Sequence, residues 1–351
     1  IQVLKEGEVQ GSDVVAHSAG ILDIKTNILP NADALFLTAI DPYGHELWRW
    51  TFPVNKLNQA NEVLSPLSNK VTSTETENEL TVKAKNHTFI FSKKDGQLKG
   101  VSVNNRKISF ANGPRFIGAR RADRSLDQFY NHDDEKAKEK DRTYSEFPDA
   151  AVFTKLDVKE DGGNLIVTAN YKLGNLDKAQ WTINPSGVVT LDYTYNFSGV
   201  VDLMGIRFDY PEDQVLSKRW LGAGPYRVWQ NRIHGTQYDI WENDYNDPIP
   251  GETFTYPEFK GYFGNVSWMN IRTKEGLISL TNETPNSYIG IYQPRDGRDR
   301  LLYTLPESGI SVLNVIPPVR NKVNSTDLCG PSSQPKWVDG SKTGRIVFRF
   351  E

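Results

Sequence analysis

The sequence predicts an all-β fold built as one large antiparallel β-sandwich, and three observations predict it. Hydrophobic residues recur with period two along many short runs, Gly, Pro, Asn and Asp turns separate those runs, and helix-period stretches are scarce. Strands at this spacing, joined by such turns, bury one face each and need a second sheet to cover it.

In chain order, residues 1–54 read as short strands around Ile21 to Thr26, Leu35 to Ile40 and Leu47 to Phe52. They make half of an immunoglobulin-like sandwich, with too little chain to close it alone. Asn55 to Lys70 is polar, carries Pro66 and reads as a linker. Residues 71–351 then form the large sandwich. Leu80, Val82 and Ala84 lead into Phe89 and Phe91, and Lys94-Asp95-Gly96 turns the chain into the next strand. The charged run Asp133 to Arg142 follows, and its metal-loop reading would use His132, Asp133 and Asp134. Adjacent strand residues point to opposite faces and helical ligands need i, i+3 or i+4 spacing, so a solvated loop or helix is expected there and no metal. Gly162-Gly163-Asn164 turns into Leu165 to Tyr171. Asn184-Pro185-Ser186-Gly187 is a hairpin turn leading into Val189, Leu191, Tyr193, Tyr195 and Phe197, which alternate with polar neighbours.

The 351 residues suffice for two domains. A net charge of −3 without a basic block points away from nucleic acid and anionic membranes as partners. The single cysteine, Cys329, excludes an internal disulfide and a cysteine zinc cluster. The apolar runs are too short to span a bilayer as a helix. The chain starts Ile1-Gln2-Val3 with no methionine or leader pattern, as an excised segment or processed product would. The five Asn-x-Ser/Thr triplets, beginning at Asn86, Asn196, Asn265, Asn282 and Asn324, read as chance in an Asn-rich chain, the alternative being glycosylation in a secreted eukaryotic protein. No Gly-x-Ser-x-Gly elbow is present, and Gly222-Ala223-Gly224 runs into Pro225 instead of a helix start, so nucleotide chemistry and cofactors are not expected.

The most distinctive segment is Arg219 to Phe263, where Trp220, Tyr226, Trp229 and Trp241 surround the Gly222-Ala223-Gly224-Pro225 turn. Exposed rings there would make a platform for a sugar, whereas buried rings would make it a hairpin of the sandwich. Trp220-Leu221-Gly222-Ala223-Gly224-Pro225, then Arg232, then Tyr256-Pro257-Glu258 and Gly261, resemble in order the C-terminal domain of glycoside hydrolase family 2 β-galactosidases. Arg121-Ala122, Leu126-Asp127 and Asp95-Gly96-Gln97-Leu98 extend the resemblance over roughly residues 70–351. It implies a galactose-mutarotase-like supersandwich preceded by the immunoglobulin-like segment. It also implies that the catalytic glutamates lie in an upstream α/β barrel of the same polypeptide, a partner whose strand–helix alternation this chain lacks.

The same resemblance assigns carbohydrate contacts to Arg121, Asp127, Trp229, Glu258, Asp327, Cys329 and Trp337, with no catalytic residue in this chain. Cys329 stands where the family's loop carries a sugar-stacking aromatic, and Trp337 is positioned to substitute for it. After Gly224-Pro225 the family commonly carries an acidic residue, an asparagine and an aspartate before the arginine, where this chain has Tyr226, Arg227, Val228, Trp229, Gln230 and Asn231 before Arg232, so a retained scaffold with altered specificity is expected. Two other functions fit the scaffold: a freestanding carbohydrate-binding module, and a sugar epimerase using His234 with Glu242 or Glu258 as its acid–base pair. The expected location is periplasmic or secreted, in a bacterium.

Overall fold

A computed structural model describes residues 32, 34–53, 70–121, 144–244, 261–291, 306–318 and 330–351. The expected strand at 21–26, the linker apart from Lys70, and the charged run at 132–142 lie outside these residues. Within them every regular element is a strand except the single 3-10 turns Glu212–Gln214 and Pro331–Ser333. The all-β expectation holds.

Two large antiparallel sheets face each other. One has nine strands, in the spatial order Val152–Asp161, Asn164–Lys172, Leu176–Ile183, Val189–Asn196, Ser341–Phe350, Gly276–Asn282, Trp268–Thr273, Val215–Gly224 and Gln237–Asp244. The other has eleven, and its middle runs Tyr288–Gly290, Ile310–Val315, Leu203–Asp209, Ala111–Arg121, Leu98–Val103, His87–Ser92 and Glu79–Ala84. Ala34–Ile40 and Glu46–Pro53 pair as a separate hairpin, whose Trp48, Trp50 and Phe52 lie opposite Ala39, Leu37 and Leu35 and remain about half exposed.

The alternation seen in the sequence is what builds the core. Leu165, Val167 and Ala169, then Ala179, Trp181 and Ile183, then Val189, Leu191, Tyr193 and Tyr195, are all buried on one side of the first sheet. Leu80, Val82, Phe89, Phe91, Phe116, Ile206 and Phe208 meet them from the second. Full burial of each such side chain contributes roughly 1.5–3 kcal/mol relative to exposure. At the centre Phe208 stacks on Phe110 with centroids 4.6 Å apart and meets Phe348 at 5.7 Å and Trp181 at 6.0 Å. These rings come from both sheets and fix their separation.

The predicted turns are where the strands reverse. Asn184 Oδ1 accepts hydrogen bonds from the Ser186 and Val188 amides, both at 3.0 Å, and Gly187 takes φ +88°. An Asn side chain closing on its own downstream backbone, followed by a residue with positive φ, is the chemistry such a hairpin needs. The last residue of the Ser341–Phe350 strand is tied to the opposite sheet by His87, whose Nε2 donates to the Phe350 carbonyl at 2.8 Å.

Candidate functional site

The aromatic segment is a hairpin of the nine-stranded sheet. Val215–Gly224 pairs with Gln237–Asp244, which sets Trp220 directly opposite Trp241. Trp220 is fully buried, donates its indole N–H to the Ala223 carbonyl at 3.0 Å and meets Phe263 edge-on. Trp241 lies over Gly224, where a Cβ would fall 2.4 Å from its ring, so only glycine fits at that point of the turn. Trp229 is 1 % exposed and packs edge-on against Tyr262 at 5.6 Å. Only Tyr226 of the four is notably open, and its hydroxyl closes the connection by donating to the Gly235 carbonyl. These rings are scaffold.

Their packing defines the outer face of the eleven-stranded sheet. Phe116, Met204, Ile206 and Phe208 point inward, so the alternate residues Arg115, Ile117, Ala119, Leu203, Arg207 and Asp209 point outward. At one end Ile117, Ala119, Leu203 and Leu313 are covered by Val228, Trp229 and Tyr262 in a second small core. The Val228 and Tyr262 backbones clasp each other with reciprocal hydrogen bonds at 2.8 and 2.9 Å, which holds that cover down.

Beside the cover the face turns polar. Arg115, Arg207 and Ser311 stand side by side on three neighbouring strands, Arg115 opposite Arg207 and Arg207 opposite Ser311. Arg207 pairs with Glu146 at 2.8 Å and donates to the Glu307 carbonyl, and Arg115 pairs with Asp209, which also accepts from Asn112. These bonds leave Arg115 Nε, Arg207 Nε and Ser311 Oγ buried without a hydrogen-bond partner among the described residues. Buried polar groups are nearly always bonded, so this row is the least satisfied part of the face. Burial lowers the Arg207 guanidinium somewhat below its ordinary value while Glu146 works to raise it.

Asp149 completes the acidic side. Although the residue as a whole is exposed, desolvation of its carboxyl pushes it above the ordinary 3.8, against the pull of Arg115 and Arg207. The folded chain therefore binds this proton more tightly than the unfolded chain. Its contribution favours folding most at low pH and is lost as pH rises through the folded midpoint. Carbon-detected NMR titration is expected to place the Asp149 midpoint above the reference, and Arg207→Gln to move it further up, because one cation favouring the carboxylate is gone. A midpoint that falls in the variant counts against this electrostatic arrangement.

Of the residues expected from the sequence to contact carbohydrate, Arg121 ends the Ala111–Arg121 strand of this face, Trp229 is buried in its cover, and Trp337 is 70 % exposed on the short strand Lys336–Val338. That strand pairs with Gly199–Val201, whose neighbour Asp202 bonds the Ala119 carbonyl, so Trp337 and the end of the Arg121 strand belong to the same end of the sandwich. Asp127, Glu258, Asp327 and Cys329 lie outside the described residues. His234 and Glu242, proposed for epimerisation, are both exposed. Sequence reasoning missed the arginine row. The available signal was Arg207 itself, a lone charge between the apolar Ile206 and Phe208.

Comparison with known proteins bears on the scaffold. A family model described as beta galactosidase small chain matches residues 83–315. No curated protein matches the chain significantly. Among solved structures, a galactose 1-epimerase from Lactobacillus acidophilus NCFM is similar at 11 % identity and a TM-score of 0.45, over 81 % of this chain and 99 % of that one. A galactose mutarotase-like protein from Lactobacillus casei ATCC 334 is similar at 11 % identity and a TM-score of 0.36, over 80 % of this chain and 100 % of that one.

Proposed function

The chain belongs to the beta galactosidase small chain family, and from that premise we propose that it is the non-catalytic companion of a catalytic α/β barrel, forming one wall of the barrel's carbohydrate pocket. The observation that carries the pocket role is the pair Arg115 and Arg207, side by side on neighbouring strands with side chains 27 % and 15 % exposed. Sugar hydroxyls donate and accept, and the guanidinium fork suits vicinal oxygens. The exposed ring of Trp337, at the Arg121 end of the same strand, supplies an apolar face for the C–H side of a pyranose.

In this role the residues bind and orient, and the bond-breaking carboxyls belong to the barrel. The test is hydrolysis of a nitrophenyl β-galactoside by this chain alone, by the separately produced catalytic barrel alone, and by the two together. Activity is expected only in the mixture. Arg115→Met in the mixture is expected to raise KM about tenfold, roughly the 1.4 kcal/mol of one charge-assisted bond, with kcat largely kept. Hydrolysis by this chain alone, or an Arg115→Met mixture with wild-type KM, overturns the reading.

A further inference from the structure

The connection between the two strands of the aromatic hairpin carries one polar side chain that the packing does not call for. Gln230 follows Trp229 and is 6 % exposed. Its backbone amide donates to the Pro317 carbonyl at 3.1 Å, and its side-chain Nε2 donates to two carbonyls, Ser332 at 2.8 Å and Gln334 at 2.7 Å. Both acceptors are carbonyl oxygens, so the amide orientation is fixed by chemistry: the NH2 must face them. Its Oε1 is buried with no partner among the described residues. Burying an amide whose acceptor end is unused is unfavourable, so the donor end is what holds it there.

One carbonyl lies inside the 3-10 turn Pro331–Ser333 and the other on Gln334, which follows it, and the next residue but two after Gln334 is Trp337. Next to Gln230, Asn231 Nδ2 donates to Ser333 Oγ at 3.2 Å, so neighbouring side chains grip the same turn. The turn begins at Gly330 with φ +81° and carries two short backbone bonds of its own, Ser333 to Gly330 and Gln334 to Pro331. The strand it feeds is three residues long and pairs with another of three. Such a ribbon is marginal by itself. We infer that Gln230 is the positioning residue for Trp337: its amide sets where the chain leaves the turn and therefore where the exposed indole stands. This deepens the proposed function and rests on its reading of Trp337 as a sugar-contacting ring.

The experiment uses the full chain carrying 5-fluorotryptophan, with the Trp337 resonance assigned from Trp337→Phe, and the mixture with the separately produced catalytic barrel assayed on nitrophenyl β-galactoside. Gln230→Met keeps the volume and removes both donors. Expected are a shifted or broadened Trp337 resonance with the Trp48 resonance unmoved, and a KM raised about fivefold at unchanged kcat, matching Trp337→Ala. A Trp337 resonance that stays in place overturns the inference. If Trp337→Ala leaves KM at the wild-type value while Gln230→Met still moves the resonance, the sugar-contact reading falls and the positioning role stands. Should Gln230→Met fail to fold, Asn231→Ala loosens the same turn from its other residue, and an unmoved Trp337 resonance there overturns the inference equally.

Discussion

Gly187→Ala lowers folding stability by about 2–5 kcal/mol, the sum of a left-handed conformation forced on an L-residue and an overpacked contact. Gly187 sits at φ +88° at the end of the Asn184 turn, and a Cβ built there falls 2.1 Å from His87 Nδ1. His87 cannot easily withdraw. It is 7 % exposed, lies parallel to Phe89 with centroids 6.1 Å apart, and is bonded through Nε2 to the Phe350 carbonyl. The added methyl thus presses on the side chain that ties the Ser341–Phe350 strand to the opposite sheet. Urea denaturation of Gly187→Ala, His87→Ala and the double variant measures this directly. The double variant should be less destabilised than the sum of the singles, since removing the imidazole vacates the space the methyl needs. Strict additivity would show that the cost is backbone strain alone.

Phe208→Ala costs about 3–5 kcal/mol, as large-to-small changes of fully buried rings do. The ring comes from the eleven-stranded sheet and meets Trp181 and Phe348 of the nine-stranded sheet as well as Phe110, so the cavity opens between layers that neighbouring strands hold in place and that cannot readily collapse. Phe208 also fills the space beside Gly113, where a Cβ would lie 2.3 Å from its Cδ1. Gly113→Ala does not refill that space in the variant, because the same methyl meets the Arg207 carbonyl oxygen at 2.7 Å. Denaturation midpoints should therefore rank wild type above Phe208→Ala, and Phe208→Ala above the double variant. A double variant as stable as wild type would mean that the two sheets do move together at this point.

The strands and turns of the sandwich were legible because they are local. Asn184 to Gly187 announces its hairpin in four residues, and the buried positions of Val189 to Tyr195 follow from period two alone. The polar row was not legible, because periodicity assigns Arg115, Arg207 and Ser311 to one side of their own strands and says nothing of which strands become neighbours. That depends on pairing between residues far apart in sequence. Trp229 and Trp337 show the same limit in a single residue type. One is buried because the Val228–Tyr262 clasp folds the connection over Ile117 and Leu203, and the other is 70 % exposed on a ribbon of two three-residue strands. Ring chemistry is equal in both, and tertiary placement alone separates the buried ring from the exposed one.

The position of Ser341–Phe350 in the middle of the nine-stranded sheet carries a consequence for how the molecule is made. It joins Val189–Asn196 to Gly276–Asn282, with Val189 paired to Phe348. A ribosome has therefore released both halves of this sheet before it delivers the strand that joins them. Until then Val189–Asn196 and Gly276–Asn282 each present an open ladder edge, the template on which unfinished chains associate. Pairing across so long a stretch is also slow. Soluble yield should thus depend on synthesis rate and temperature far more than the stability of the finished sandwich would suggest.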